Sequence, residues 1–420
     1  MGVNPPVYDF AWFDLWAKPL GLLNLLGFLR EQGNRVQLVD CLNAGRQRPL
    51  SHGRWKVERR EVDKPAPYRH IPRRYYRFGL NAEDFRTKLE SRPEPDLILV
   101  TSIMTYWYPG VFEAIALLKQ VFPRTPIALG GIYALLCPGH AAKSGADVIL
   151  GPAPPARPKT LPIDLYEEPG HAILATSYGC PLACQYCASS LISPHFSRRP
   201  LAEITGDLDR QLEAGSINDL AFYDDALLWD RPNLFYPLCG HIARKHPGLR
   251  LHSPNGLSVA MLDEECCRVL FQTGFKTLRL SLEGVDDYTG GLSSGKADGQ
   301  KYLRAVDNLL KAGYDSENIE TYILAGLPGQ KLEDIESSLN FVKAAGASPK
   351  LCEFSPIPGT PLYQKDLREH PQLADDPLWH NNSVYISHLA ERLRPEELQY
   401  LKGITKKEAR TRALPPGPRH

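Results

Sequence analysis

The stretch His171-Ala-Ile-Leu-Ala-Thr-Ser-Tyr-Gly-Cys-Pro-Leu-Ala-Cys-Gln-Tyr-Cys-Ala188 joins an apolar run to three closely spaced cysteines. His171–Thr176 reads as a strand, and the Gly179-Cys180-Pro181 turn ends it. Cys180, Cys184 and Cys187 follow in the spacing CxxxCxxC, with the aromatic Tyr186 just before the last. Three thiolates can hold three irons of a cubane cluster and leave the fourth open, and soft sulfur ligands suit iron–sulfur clusters. An open iron is a place for chemistry, whereas a fully ligated cluster mainly carries electrons.

Other uses of three thiols compete with this one. A zinc site needs a fourth ligand, for which His195 is the nearest histidine downstream. A metal-stabilised binding module without enzymatic activity is the corresponding non-catalytic reading. A disulfide framework does not suit a chain of 420 residues that lacks a secretion signal. The nine cysteines include the adjacent pair Cys266–Cys267, and an odd count of this kind fits a reducing cytoplasm. The expected location is therefore cytoplasmic, and no apolar run is long enough to span a bilayer. A net charge of +1, with 43% hydrophobic and 23% charged residues, implies no global attraction to nucleic acid or membrane.

Outward from the cysteines the pattern repeats. After His171–Thr176 come the helix Leu201–Ala214, the strand Asp219–Tyr223, a helix around Pro232–Lys245 and the strand Arg250–Ser253. Leu262–Thr273 (helix), Thr277–Leu282 (strand), Lys301–Ala312 (helix), Ile319–Leu324 (strand), Leu332–Ala345 (helix) and Pro349–Phe354 (strand) continue it. Gly215, Gly274, Gly313 and Gly346 stand where such helices stop. Six strand–helix units in series predict a parallel sheet with right-handed crossovers, curled into a partial (β/α)6 TIM-type barrel. The cysteine loop follows the first strand, at the barrel face where reactive groups collect.

Residues 1–150 alternate less regularly. The helix Leu20–Arg30 ends at Gly33, and Val36–Asp40, Leu97–Thr101, Ile127–Leu129 and Val148–Leu150 read as strands, with Val111–Val121 as a helix. The expectation is an α/β, Rossmann-like (flavodoxin-like) doubly wound domain. Gly151–Pro169 is proline-rich and reads as a linker over 151–170, the barrel as 171–364, and 365–420 as a small helical extension with a frayed tail at Ala413–His420. There are no internal repeats. Arg46–Arg77 holds nine arginines and two lysines against Glu58, Glu61 and Asp63, interleaved with Tyr68, Tyr75 and Tyr76. Basic plus aromatic suggests RNA or an anionic metabolite, and a solvated loop excursion is the reading preferred here.

The cysteine stretch resembles the signature of the radical S-adenosylmethionine (SAM) superfamily. The resemblance implies a 4Fe-4S cluster whose open iron chelates the amino and carboxylate groups of SAM. An electron from the cluster then cleaves the sulfonium, and the 5′-deoxyadenosyl radical takes hydrogen from a substrate. It also implies site residues, each with a plainer alternative. Asp224 or Asp225, in Ala221-Phe-Tyr-Asp-Asp-Ala226, would meet the SAM ammonium, or else cap a helix. Glu283, with Ser281 in Ser281-Leu-Glu-Gly284, would hold the ribose, or else pair with Arg279 on the same strand face. Asn255 and Ser258 would face the same cavity, or Asn255-Gly256 would serve a turn. Gly326, in Ile323-Leu-Ala-Gly-Leu-Pro-Gly329, would let the adenine approach, or else make a tight turn, and the backbones of Tyr186 and Gly326 would line the cavity above the cluster. Cys352 reads as a buried core thiol rather than a second catalytic one.

The Pro358-Gly-Thr-Pro361 segment is similar to one found in a subgroup that carries an N-terminal cobalamin-binding domain. Asn4-Pro-Pro6, Pro19–Leu23, Pro95-Asp96 and Leu129-Gly-Gly131 fall in the expected order, with Gly130 and Gly131 letting a nucleotide tail approach the sheet edge. The DxHxxG motif whose histidine ligates cobalt is absent. Either cobalamin binds without a protein histidine or the domain has lost it. The implied activity is cobalamin-dependent methyl transfer. Cobalamin-independent rearrangement or oxidation and RNA modification are the alternatives. The implied partners are a small-molecule or peptide substrate and a reductant such as flavodoxin or ferredoxin.

Overall fold

A computed structural model describes residues 1–12, 16–151, 157–295 and 298–406 of the chain. The first body is built on a five-stranded sheet of β1 (Gly2–Asn4), β2 (Leu38–Asp40), β3 (Ile98–Val100), β4 (Ile127–Leu129) and β5 (Val148–Ile149). All neighbours are parallel, in the order β5-β4-β3-β1-β2. This is the doubly wound, flavodoxin-like order, in which the chain reverses direction between β1 and β3. Successive residues of each strand point to opposite faces. Val3, Val39, Ile98, Val100 and Ile127 therefore join the helix Tyr108–Val121 in one core. Leu38, Leu99 and Ala128 face the helix Leu20–Glu31 and merge with the core of the second body.

The second body is a seven-stranded parallel sheet. Its path runs through β6 (Ala172–Leu174), β7 (Asp219–Phe222), β8 (Arg250–His252), β9 (Phe275–Glu283), β10 (Ile319–Ala325) and β11 (Ser348–Glu353) in chain order, with Leu257–Ser258 added on β9. Helices Leu201–Glu213, Tyr236–Lys245, Glu264–Thr273, Gly299–Ala312 and Leu332–Ala344 connect consecutive strands. Chain-order parallel strands with helical crossovers form the expected partial barrel. Gly274 and Gly313 take left-handed φ values of 93° and 112° at helix ends. Gly215 does not; the helix before it closes on Ala214 with ordinary backbone angles.

The first body seals the N-terminal end of this barrel. Trp16 is buried and stacks on His252 with ring centroids 4.4 Å apart. A hairpin of Arg46–Pro49 and Trp55–Val57 carries His52 to within 3.7 Å of Asp219, the first residue of β7. Burial alone would raise the Asp219 pKa, but hydrogen bonds from His252 and Arg250 hold it down at about 2.

Two expectations are corrected by this packing. The Arg46–Arg77 stretch is solvated along much of its length, with Arg48, Arg59, Arg60, Arg69, Arg73 and Arg74 exposed, but it is anchored at points the composition did not show. Tyr68 and Tyr75 are buried with Phe10, Leu378 and Val384, and Arg77 forks onto Glu113 at 2.8–3.1 Å. The Tyr68 and Tyr75 rings are thus consumed in a core, and the half-buried Tyr76 ring is covered by the Arg59 guanidinium. The second half of the 151–170 stretch is not a free linker. Leu161, Ile163 and Tyr166 are buried in the shared core, and the Tyr166 hydroxyl donates to Asp40 at 2.9 Å. Residues 152–156 and the Ala413–His420 tail lie outside the described residues.

The C-terminal extension is tied back by His380. Its Nε2 lies 2.9 Å from the Leu373 carbonyl oxygen, which can only accept, so Nε2 carries the proton. Nδ1 therefore accepts from the Thr105 hydroxyl at 2.9 Å. Burial pushes the His380 pKa down to about 4. The unfolded chain binds this proton more readily, so the contribution to stability is complete above about pH 6.5 and falls as pH drops toward about 4. Between pH 7 and pH 5 the loss should be about 2 kcal/mol. Urea unfolding of wild type and His380→Gln at both pH values checks this: the variant should lose less stability on acidification by about that amount.

Candidate active site at the barrel mouth

Cys180, Cys184 and Cys187 lie on the loop after β6, are free and half-buried, and line one cavity of about 320 Å³. Burial pushes the Cys180 thiol pKa up. Cys184 Sγ donates to the Ser293 carbonyl at 3.5 Å, and Cys187 Sγ sits 3.4 Å from the Ser189 backbone nitrogen and 3.2 Å from its hydroxyl. His195, the fourth ligand that zinc would need, is not among the residues lining the cavity.

The loop is held from below by Asp224. Its carboxylate accepts from the backbone N–H and hydroxyl groups of both Thr176 and Ser177, at 2.6–3.0 Å. It is buried, which raises its pKa, and it does not line the cavity. Of the two aspartates, Asp224 is therefore the brace and Asp225 the cavity residue. Asp225 accepts from the Ser189 hydroxyl at 2.9 Å, and burial raises its pKa as well. Asn255 also lines the cavity, and its amide reaches across to the main-chain oxygens of Tyr223 and Asp224 rather than serving a turn of its own.

Glu283 closes β9 on the opposite wall. It has φ of 69°, a left-handed value rare for a side chain of this size, at a register shift in the β9–β10 ladder. Backbone strain of this kind persists where the surrounding structure imposes it and gathers at functional sites. Arg279, the salt-bridge partner considered for Glu283, is paired instead with Glu320, which also takes Lys350 at 2.8 Å. Ser281 and Ser258 line the cavity too, and Ser281 Oγ fills the space where a Cβ on Gly256 would stand. The Tyr186 ring lies on the cavity wall, and burial followed by the charge of Glu283 raises its pKa.

Three nominated positions serve other ends. Gly326 has φ of 86°, its N–H donates to Gln330, and its bare face meets Ile386 of the C-terminal extension rather than the cavity. Gly131 is filled by its own surroundings, Ser102 O and Thr101 Oγ1, and Gly130 faces Leu150. Neither glycine of that pair presents a bare face to a ligand. Conversely, Cys352 is not a core thiol: it lines the cavity, and burial with Glu283 nearby pushes its pKa up to about 12. Leu227, Leu228, Trp229, Met261, Tyr322 and Leu324 complete the wall and went unnoticed in the sequence. Alternation along β10 and β11 could have found Tyr322, Leu324 and Cys352, which share the barrel-facing side.

The electrostatics are one-sided. Two carboxylates, Asp225 and Glu283, face the cavity, and its lining includes no lysine, arginine or histidine among the described residues.

Comparison with known proteins agrees with this geometry. Residues 174–342 match the family model of the radical SAM superfamily. An uncharacterized methyltransferase of Pyrococcus horikoshii is 22% identical over 49% of this chain. Cytidylyl-2-hydroxyethylphosphonate methyltransferase of Streptomyces wedmorensis is 23% identical over 47%. The aligned segments span only 44% and 37% of those relatives. Among solved structures, the radical S-adenosylmethionine methyltransferase TsrM of Kitasatospora setae superposes with a TM-score of 0.62 at 16% identity, over 89% of this chain and 76% of its own. The cobalamin-dependent S-adenosylmethionine radical enzyme OxsB gives a TM-score of 0.55 at 12% identity, over 89% and 55%. At these identities the likeness is one of fold, and it extends across both bodies.

The division of labour between the two aspartates is testable in the cluster-free protein. Asp224→Ala strands four buried donors and should lower unfolding free energy by about 3 kcal/mol, whereas Asp225→Ala should cost under about 1 kcal/mol. Denaturant titration of both variants checks this; equal losses would show that the brace is misassigned.

Proposed function

We propose that this chain, which carries a radical SAM domain over residues 174–342, is an enzyme that cleaves SAM reductively at a 4Fe-4S cluster held by Cys180, Cys184 and Cys187. The observation that carries the reading is the convergence of three cysteine thiols outside any disulfide and two carboxylates on one cavity at the C-terminal ends of the barrel strands. The residues fit the cofactors. Thiolates suit iron, and SAM brings an ammonium and ribose hydroxyls, donors that carboxylates such as Asp225 and Glu283 can accept from. When bound, the cluster supplies the electron that breaks the sulfonium bond.

The chain's own part is placement. Asp225 takes the ammonium of SAM, Glu283 the ribose hydroxyls, and Ser258, Ser281 and Asn255 the remaining polar edge. Leu227, Leu228, Trp229 and Met261 form an apolar wall that keeps water from a reactive intermediate. The substrate is a small molecule or peptide that enters beside Tyr322, Leu324 and Cys352. A low-potential electron donor of the flavodoxin or ferredoxin class supplies the electron.

Methyl transfer is the reaction best supported, because the shared fold includes the first body as well as the barrel. Cobalamin, when bound, would supply the methyl carrier. The supporting feature is the flavodoxin-like strand order, with Asp40, at the C-terminal end of β2, bonded to Tyr166, and Thr105, beyond that of β3, bonded to His380 of the C-terminal extension. The Gly130–Gly131 pair does not fit this purpose, and no step is assigned to it. No histidine is poised after β1. His52 sits at the barrel floor, His70 packs on His388, and His140 lies 2.7 Å from the Tyr133 hydroxyl.

Anaerobic reconstitution with iron and sulfide, followed by reduction in the presence of SAM, tests the central reading. Wild type should form 5′-deoxyadenosine, and alanine at any one of the three cysteines should abolish it. Glu283→Gln should weaken SAM binding about ten- to a hundredfold, as loss of a charged hydrogen bond does. A purified protein holding one tight zinc and accepting no cluster would favour the non-enzymatic binding module. For cobalamin, paramagnetic resonance of the cob(II)alamin form should lack nitrogen splitting from a protein ligand. Protein that retains no cobalamin after expression with cobalamin uptake would remove methyl transfer.

A further inference from the structure

Ser189 stands between the two halves of this site. Its hydroxyl donates to Asp225 Oδ2 at 2.9 Å and lies 3.2 Å from Cys187 Sγ, while its backbone nitrogen lies 3.4 Å from the same sulfur. A serine hydroxyl has one proton to give. With Cys187 as a thiol there is no conflict, because the thiol can donate to the hydroxyl oxygen while the hydroxyl proton goes to Asp225. With Cys187 as an iron-bound thiolate, the sulfur can only accept. The single proton then faces two negative acceptors, the carboxylate and the sulfur, on either side of one oxygen.

We propose that Ser189 is a positioning residue that couples occupancy of Asp225 to the electron affinity of the cluster. The inference rests on the assignment above of the cluster to the three cysteines and of the SAM ammonium to Asp225. Without SAM, the hydroxyl proton stays on Asp225. When the ammonium of SAM takes that carboxylate, the hydroxyl turns to Cys187 Sγ. A hydrogen bond to a cluster sulfur stabilises the more electron-rich, reduced state and raises the reduction potential. The cluster therefore becomes easier to reduce once SAM is in place, which protects against reduction of an empty site. No covalent bond changes in this step. One electron arrives from the low-potential donor, and one hydroxyl proton changes acceptor. By linkage, SAM must bind the reduced protein more tightly than the oxidised one by the same free energy.

The test is a redox titration of the reconstituted protein, monitored by paramagnetic resonance, with and without SAM. In Ser189→Ala the preference of SAM for the reduced over the oxidised state should fall about tenfold, which shrinks the SAM-induced rise in potential by about 59 mV for this one-electron couple. Ser189→Thr, which keeps the hydroxyl, should restore it. Asp225→Ala removes the competing acceptor and frees the hydroxyl without SAM, so its SAM-free potential should already stand above that of wild type. Equal SAM-induced shifts in wild type and Ser189→Ala would overturn the proposal, as would an equal drop in potential with and without SAM. A wild-type protein that forms no cluster, or whose SAM affinity is unaffected at Asp225, overturns the reading beneath it as well, so the two failures are told apart by the wild-type arm.

Discussion

The buried carboxylate of Asp224 fixes the geometry on which the site depends. It sits where β7 ends and gathers four donors from Thr176 and Ser177, the last residues before the cysteine loop. The cysteine loop, running on to the short helix Ser189–Ile192, has its course set by where the residues leading into it are pinned. Asp224 pins them to the neighbouring strand. Its backbone oxygen then takes the Asn255 amide, so the brace extends to the loop after β8. Asp225, the next residue, is thereby turned toward the cavity and the Ser189 hydroxyl.

On the other wall the same end is reached by strain rather than by hydrogen bonding. Glu283 adopts a left-handed φ at the end of the longest strand, at a break in register with β10. The break turns the carboxylate into the cavity. The carboxylate thus stands across the cavity from Asp225, on the wall opposite the cysteine loop. The polar floor of the barrel is neutralised separately. Asp219 is matched by Arg250 and His252, and Glu320 by Arg279 and Lys350.

Much of this was legible in the sequence. The barrel strands are apolar runs set between amphipathic helices, and the cysteine spacing placed the metal loop after the first of them. What was missed has physical reasons. β1 is Gly2-Val-Asn4, three residues with only one strong strand former, yet it forms an interior strand because β2 and β3 pair with it on both sides. The basic stretch looked solvent-exposed by composition, but Tyr68, Tyr75 and Arg77 find partners in the C-terminal extension and on Glu113, contacts that span up to 310 residues of chain. Asp224 and Asp225 are adjacent and chemically alike, and only the side-chain directions separate brace from ligand. Gly326 and Gly131 announced that a Cβ is not tolerated without saying whether a ligand or the protein itself fills the space. Both are filled by protein.

The account stands on an iron site left open by three cysteines and occupied by SAM beneath Asp225 and Glu283. The most direct measurement is electron–nuclear double resonance on the reduced, reconstituted protein with SAM labelled at its amino nitrogen. The account predicts a hyperfine coupling from that nitrogen, large enough to require a bond to iron, and its loss in Cys184→Ala. A reduced cluster whose signal is indifferent to labelled SAM at saturating concentration would contradict it.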